Sequence, residues 1–125
     1  MILPSSAYPT KSRTGIDYHR RVERVVDVIL ANPAHAFTVK ELAAHAAFSE
    51  FHFHRVIKAI AGESVAQCII RLRLEAVASA LVYHPKTPLT QIALACGFSD
   101  SAHLSKAFRK AHGSSPTQFR KDHPS

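Results

Sequence analysis

The chain has 125 residues, 46% of them hydrophobic, and a formal net charge of +7. That length holds one domain or two very small ones, and that apolar content excludes wholesale disorder. The positive balance favours a polyanionic partner such as nucleic acid, and less often an anionic membrane.

Residues 1–15 mix Pro, Ser, Thr and Gly without periodicity and read as a flexible arm, with Lys11 and Arg13 able to brush phosphates. The first helix is expected from about Ile16 to Leu30, since Tyr18, Val22, Val25, Val26 and Ile29 recur at helical spacing and Asn32-Pro33 ends it. Thr38 then caps a short helix, with Glu41 three residues on as a capping box and Val39, Leu42, Ala43 and Ala46 inward. Ala47-Phe48 forms a corner and Ser49 caps the next helix. Phe53, Val56, Ile57 and Ile60 line one stripe of that helix, and Phe51, His54, Arg55 and Lys58 line the opposite one. Gly62 is its stop.

Ser64 caps the longest helix, which runs to about Tyr83, and His84-Pro85-Lys86-Thr87-Pro88 breaks the chain. A short helix follows from Thr90 to Cys96, with Ile92, Ala93 and Cys96 inward. Ser99 is expected to cap the next, to about His112, with Leu104, Ala107, Phe108 and Ala111 inward, and Gly113 ends it. Ser115 and Pro116 open a last short helix through about Lys121. No segment alternates with period two. The expected fold is therefore all-α, with about seven helices.

The chain also repeats itself. Leu42-Ala43 and Phe48-Ser49 recur 50 residues later as Ile92-Ala93 and Phe98-Ser99. After one inserted residue the offset becomes 51, pairing Phe53 with Leu104, Arg55 with Lys106, Ile57 with Phe108, Lys58 with Arg109, Gly62 with Gly113, Ser64 with Ser115 and Gln67 with Gln118. Buried positions, caps and outward cations all repeat, so the chain reads as two helix-turn-helix units of homeodomain-like shape. The expected division is a first unit at 16–62, a connecting helix at 63–84, a second unit at 85–121 and a tail at 122–125. A connecting helix of roughly 30 Å suits two groove-reading helices about one duplex turn apart.

These residues resemble a known family. GFSDSAHLSKAFRKAHGSSPTQFR is similar to the signature of the AraC/XylS family of bacterial transcription regulators, and FSEFHFHRVIKAIAGES followed by IIRLRLEAVASAL is similar to the first half of the same domain. The resemblance spans about residues 16–121. It implies a seven-helix fold and binding of promoter DNA. Carried over by position, it implies base-facing residues Phe51, His54 and Arg55 in the first unit and Ala102, His103 and Lys106 in the second. Arg55 leads, because a guanidinium can bind guanine O6 and N7 in bidentate fashion. Lys58, Arg109 and Lys110 are expected at phosphates, with the backbone N–H groups near Thr38 and Thr90.

Three departures stand out. Ala47 replaces the glycine that Gly97 supplies at the second corner, Cys68 replaces the aromatic that Phe119 supplies, and Ala102 is short for a base reader. HFHRVIKAIAGES also resembles regulators that place a GyrI-like domain after the DNA-binding domain, whereas about 15 leading and four trailing residues suit a stand-alone regulator of the MarA or SoxS type. RNA polymerase, a sensor domain and a small-molecule inducer are the further partners this leaves open. A helical protein-interaction module is the rival reading.

Other chemistry finds little footing. Nine histidines are present, yet His52 and His54 point to different sides of one helix, so no metal or other cofactor is expected. The nine acids are scattered, and no glycine loop cradles a phosphate, so an enzyme is not expected. Arg71 and Arg73 are expected to be solvated or paired with Glu75. Two cysteines, Cys68 and Cys96, are too few for a disulfide scaffold and read as buried thiols of a reduced protein. With no apolar run of membrane-crossing length and no secretory signal, the expected place is the bacterial cytoplasm, on the nucleoid, as a monomer.

Overall fold

The computed structural model describes residues 13–124, with side chains from Asp17 onward. Seven helices follow in order: α1 (Arg13–Ala31), α2 (Val39–His45), α3 (Glu50–Ala61), α4 (Val65–Tyr83), α5 (Leu89–Ala95), α6 (Ser101–His112) and α7 (Pro116–Asp122). Among the described residues there is no strand, and the all-α expectation holds. The expected arm lies outside the described residues except for 13–15, which already belong to α1.

Helix starts follow local chemistry. Thr38 Oγ1 accepts from Glu41 N, Ser49 Oγ from His52 N, and Ser115 Oγ from Gln118 N, each at 3.1 Å. Ser64 and Gln67 close a reciprocal box before α4: Ser64 Oγ accepts from Gln67 N at 3.1 Å, and Gln67 Oε1 accepts from Ser64 N at 2.9 Å. Gly62 and Gly113 end α3 and α6 in the left-handed conformation, at φ 72° and 78°.

Two starts differ from expectation. Asp100, not Ser99, caps α6, its Oδ1 accepting from His103 N at 2.7 Å. A carboxylate at a helix N-terminus also meets the dipole favourably, and the neighbouring hydroxyl is released to contact the His103 ring. Helix α5 begins at Leu89 after Pro88, with no side-chain cap, so Thr90 sits inside the first turn.

The chain packs as two compact units. One holds α1 and Phe37–Ile70, and the other holds Asn32–Ala36 and everything from Arg71 on, so the long helix α4 contributes to both. In the first, Val22, Val25, Val26 and Ile29 of α1 bury against Leu42, Ala43 and Ala46 of the α2 segment and Phe53, Val56, Ile57 and Ile60 of α3. In the second, Leu74, Val77 and Leu81 of α4 take the part of α1, packing with Ile92, Ala93, Cys96, Phe98, Leu104 and Phe108. Ala107 and Phe119 pack partly buried against this core, whereas Ala111, expected inward, is exposed because it lies beyond the packed stripe of α6. Cys68 and Cys96 are buried and in no disulfide.

Candidate nucleic-acid interface

The corner between α2 and α3 and the corner between α5 and α6 are built alike. Phe48 N donates to Ala43 O at 2.9 Å and Phe98 N to Ala93 O at 2.9 Å. Ala47 N and Gly97 N donate to Ala44 O and Leu94 O at 3.0 and 3.3 Å. Both corner residues have positive φ, 57° at Ala47 and 93° at Gly97. Ala47 is thus held in the left-handed region that a Cβ disfavours, at a cost of roughly 1–2 kcal/mol. The offset between corners is 50 residues and between caps (Ser49, Asp100) it is 51, so Ser99 is the inserted residue.

Burying one stripe of α3 leaves the other outside. Phe51 is 73% exposed, which for a phenylalanine is unusual in a folded chain, and His54, Arg55 and Lys58 are exposed beside it. The Arg55 guanidinium lies 5.7 Å from the Phe51 ring centre, one turn away on the same face. On α6, Ala102, His103, Lys106, Arg109 and Lys110 are exposed, so the outer face is cationic there too. Thr38 and Thr90 are exposed at helix starts, Thr38 as a cap and Thr90 not. The structure therefore leaves every expected contact residue open to a partner.

The cap register refines the pairing of the two faces. With Ser49 aligned to Asp100, Phe51 corresponds to Ala102, Arg55 to Lys106 and Lys58 to Arg109, while His103 corresponds to His52 and Ser105 to His54. The rings agree: His52 stands edge-on to Phe48 at 4.9 Å, and His103 edge-on to Phe98 at 5.4 Å. His52 is half-buried, with its Nε2 3.4 Å from the Tyr18 hydroxyl, whereas His103 stays exposed, its Nδ1 3.2 Å from Ser99 Oγ. One ring nitrogen of His103 is thus already engaged, within a residue that stays exposed.

Two arginines find backbone partners far away in the sequence, and one of them holds a corner. Arg21 on α1 donates through Nε to Ala46 O at 2.7 Å and through a terminal nitrogen to Ala47 O. Its guanidinium lies 3.7 Å from the Phe48 ring centre and pairs with Asp17 at 3.0 Å. Arg73, expected to be solvated or paired with Glu75, is half-buried and donates to Pro33 O at 2.8 Å and to His35 O at 2.9 Å. Arg71 takes Glu75, at 3.3 Å. A spacing of 52 residues separates Arg21 from Arg73, and the same spacing relates Val22 to Leu74, Val25 to Val77 and Ile29 to Leu81, a relation that would have signalled both.

Among the described residues no group of three or more His, Cys, Asp or Glu side chains is placed to hold a metal ion. None of the described helices is long and apolar enough to cross a membrane.

Comparison with known proteins agrees with this geometry. A family model described as a helix-turn-helix domain matches residues 42–122. A putative AraC-like transcription regulator of Streptomyces antibioticus is 37% identical over 93 residues, covering 74% of this chain and 30% of that protein. The HTH-type transcriptional regulator ArgR of Pseudomonas aeruginosa is 31% identical over 112 residues, covering 90% of this chain and 33% of that one. Against curated relatives such as these, the chain spans between 30% and 42% of their length. Among solved structures, the DNA-binding domain of AdpA in complex with a target DNA superposes with a TM-score of 0.70 at 28% identity, covering 82% of this chain and 91% of that one. With the family model spanning more than half of it, the chain belongs to the AraC-type helix-turn-helix family of transcriptional regulators.

Proposed function

We propose that this chain binds promoter DNA sequence-specifically, in the bacterial cytoplasm, with α3 and α6 each entering a major-groove segment. Phe51, His54 and Arg55 on α3 and Ala102, His103 and Lys106 on α6 face bases. Lys58, Arg109 and Lys110 hold phosphates, together with the helix starts at Thr38 and Thr90. The carrying observation is the outer stripe of α3, where an exposed phenylalanine and an arginine share one face with no core to serve. An exposed guanidinium such as that of Arg55 can bind a guanine edge in bidentate fashion, and the Phe51 ring can meet a thymine methyl. The role is one of binding, with no reaction assigned. The greater length of the relatives leaves room there for a sensor domain with an inducer, and RNA polymerase is a further proposed partner.

Gel-shift titration across salt tests the reading. Three cationic phosphate contacts alone give a loss of roughly fortyfold in affinity between 50 and 200 mM salt. A flat titration overturns the proposal. Selection of bound sites from random duplexes, followed by footprinting, should protect two adjacent major-groove segments on one side of the duplex. A footprint of one segment confines the reading to a single helix.

A further inference from the structure

We propose that Arg21, which lies on α1 and on neither outward stripe of α3 and α6, is a positioning residue for the α3 reading face. It holds the α2–α3 corner in the left-handed conformation from which Phe51, His54 and Arg55 are presented. The proposal rests on the reading of α3 as a DNA-reading helix and adds the device that aims it.

The observations converge on one residue. Ala47 is the one non-glycine with positive φ among the described residues, at 57°, and it lies three residues before the first residue of α3. An L-residue does not stay there unless its surroundings hold it. The surroundings are Arg21, which bridges the carbonyls of Ala46 and Ala47 with two nitrogens of one planar fork. The fork is itself held on three sides: Asp17 at 3.0 Å, the Phe48 ring at 3.7 Å and the Tyr18 ring at 5.5 Å. Phe48 belongs to the corner and touches His52 in the first turn of α3, so the contact chain runs from α1 through the corner into the helix.

The second unit shows what happens when the corner is glycine. At the position equivalent to Arg21, Arg73 does not bond the corner carbonyls; it donates to Pro33 and His35 instead. Gly97 adopts positive φ without penalty and needs no clamp. One corner is therefore set by a side-chain fork and the other by backbone freedom, and Arg21 becomes dispensable if Ala47 is made glycine.

The test is a cycle of Arg21→Met, Ala47→Gly and the double variant, with Arg21→Lys as a charge-preserving control and circular dichroism confirming the helices. In each variant, affinity is measured for a selected duplex and for duplexes altered in the base pairs under α3 or under α6. Arg21→Met should lose about tenfold on the selected duplex and lose discrimination under α3 alone. Arg21→Lys should behave likewise, because one ammonium nitrogen on a flexible stem does not reproduce a rigid fork that places two separate nitrogens on the two carbonyls, and adding Ala47→Gly should restore most of both losses. A loss equal for all duplexes, or one that Ala47→Gly does not relieve, overturns the proposal. Amide shifts of the DNA-free protein give an independent arm: those from Ala46 to Arg55 should move in Arg21→Met and return in the double variant. If they stay still in Arg21→Met the proposal falls, whether or not the parent selects a duplex. A parent that selects none overturns the DNA reading and leaves the clamp to be judged on these shifts.

Discussion

Gly97 stands directly against Arg73: a Cβ on Gly97 would lie 2.6 Å from Arg73 Nε and 2.7 Å from the Pro33 carbonyl oxygen. Two independent reasons therefore hold this position to glycine, the φ of 93° and the crowding by a hydrogen-bonded arginine and backbone that cannot both retreat. Ala47, at the same place in the first corner, has the positive φ without that crowding, since Arg21 approaches the corner through the carbonyls and leaves the Cβ room. Gly97→Ala should accordingly cost about 2–4 kcal/mol, backbone strain and overpacking together. Ala47→Gly should be neutral or stabilise by up to about 1 kcal/mol. Urea unfolding of the two variants checks the pair; equal and small effects would mean that Arg73 moves aside freely.

Much of this architecture is legible in the sequence because short helices announce themselves. Thr38, Ser49, Ser64 and Ser115 cap where hydroxyls precede an apolar stripe, and Gly62 and Gly113 end helices where φ must turn positive. Where two capping residues stand side by side the pattern is ambiguous, and Asp100 displaces Ser99 because the carboxylate is the better acceptor at a dipole. Of the proposed contact residues, Phe51, His54, Arg55 and Lys58 are visible as the stripe of α3 opposite the core, whereas Ala102 and His103 on α6 come only by position from the family resemblance. Arg21 and Arg73 stand out only through the 52-residue spacing that they share, and not by their role, since their carbonyl partners lie 25 to 40 residues away and a cation on a helix face looks solvated until the loop it meets is known.

On the proposed reading, Arg55 and Lys110 separate base reading from phosphate holding. Arg55 lies over Phe51 on the central outward stripe of α3, while Lys110 sits in the last turn of α6. Arg55→Ala should cost about 1–3 kcal/mol on a selected duplex and flatten preference at one or two base pairs. Lys110→Ala should weaken binding to all duplexes alike and lower the salt slope by about one. Affinity measured on a panel of single-base variants at two salt concentrations reads both effects, and identical profiles for the two substitutions would refute the assignment.

Cys96 ties stability to alkaline pH. Burial raises its thiol above the ordinary value of 9.0, because the thiolate would have to form without water in the core of the second unit. The unfolded chain ionises this thiol first. The stability it contributes is fully present below pH 9.0 and declines as pH rises from there through the higher folded value. Urea midpoints at pH 8 and pH 10 should therefore fall less in Cys96→Ala than in the parent, other alkaline titrations being common to both. Cys96 should also resist a thiol reagent at pH 8 in the folded protein, and rapid labelling without urea would show that the core opens.

Cys68 occupies, at the 51-residue offset, the place that Phe119 holds in the second unit, yet the first unit has not kept an aromatic-sized space for it. Phe119 stands edge-on to Phe108 at 5.2 Å. Around Cys68 the core has closed to a cavity of about 10 Å³ lined by Val25, Ile29, Leu42, Phe53, Ile57, Val65 and Ile69. That volume is at the lower limit for one water molecule, and its apolar walls give a water no partner. A methyl-sized addition is the most the site can absorb, so Cys68→Val should lie within about 0.5 kcal/mol of the parent, small filling gain offset by the helix cost of a branched residue. Cys68→Phe restores the residue type of the second unit but forces its neighbours off their rotamers, and should destabilise by about 1–3 kcal/mol. Urea unfolding of both variants decides the matter. A Phe variant more stable than the parent would mean that the first core re-expands to the shape of the second, with Val25 and Ile29 of α1 moving outward.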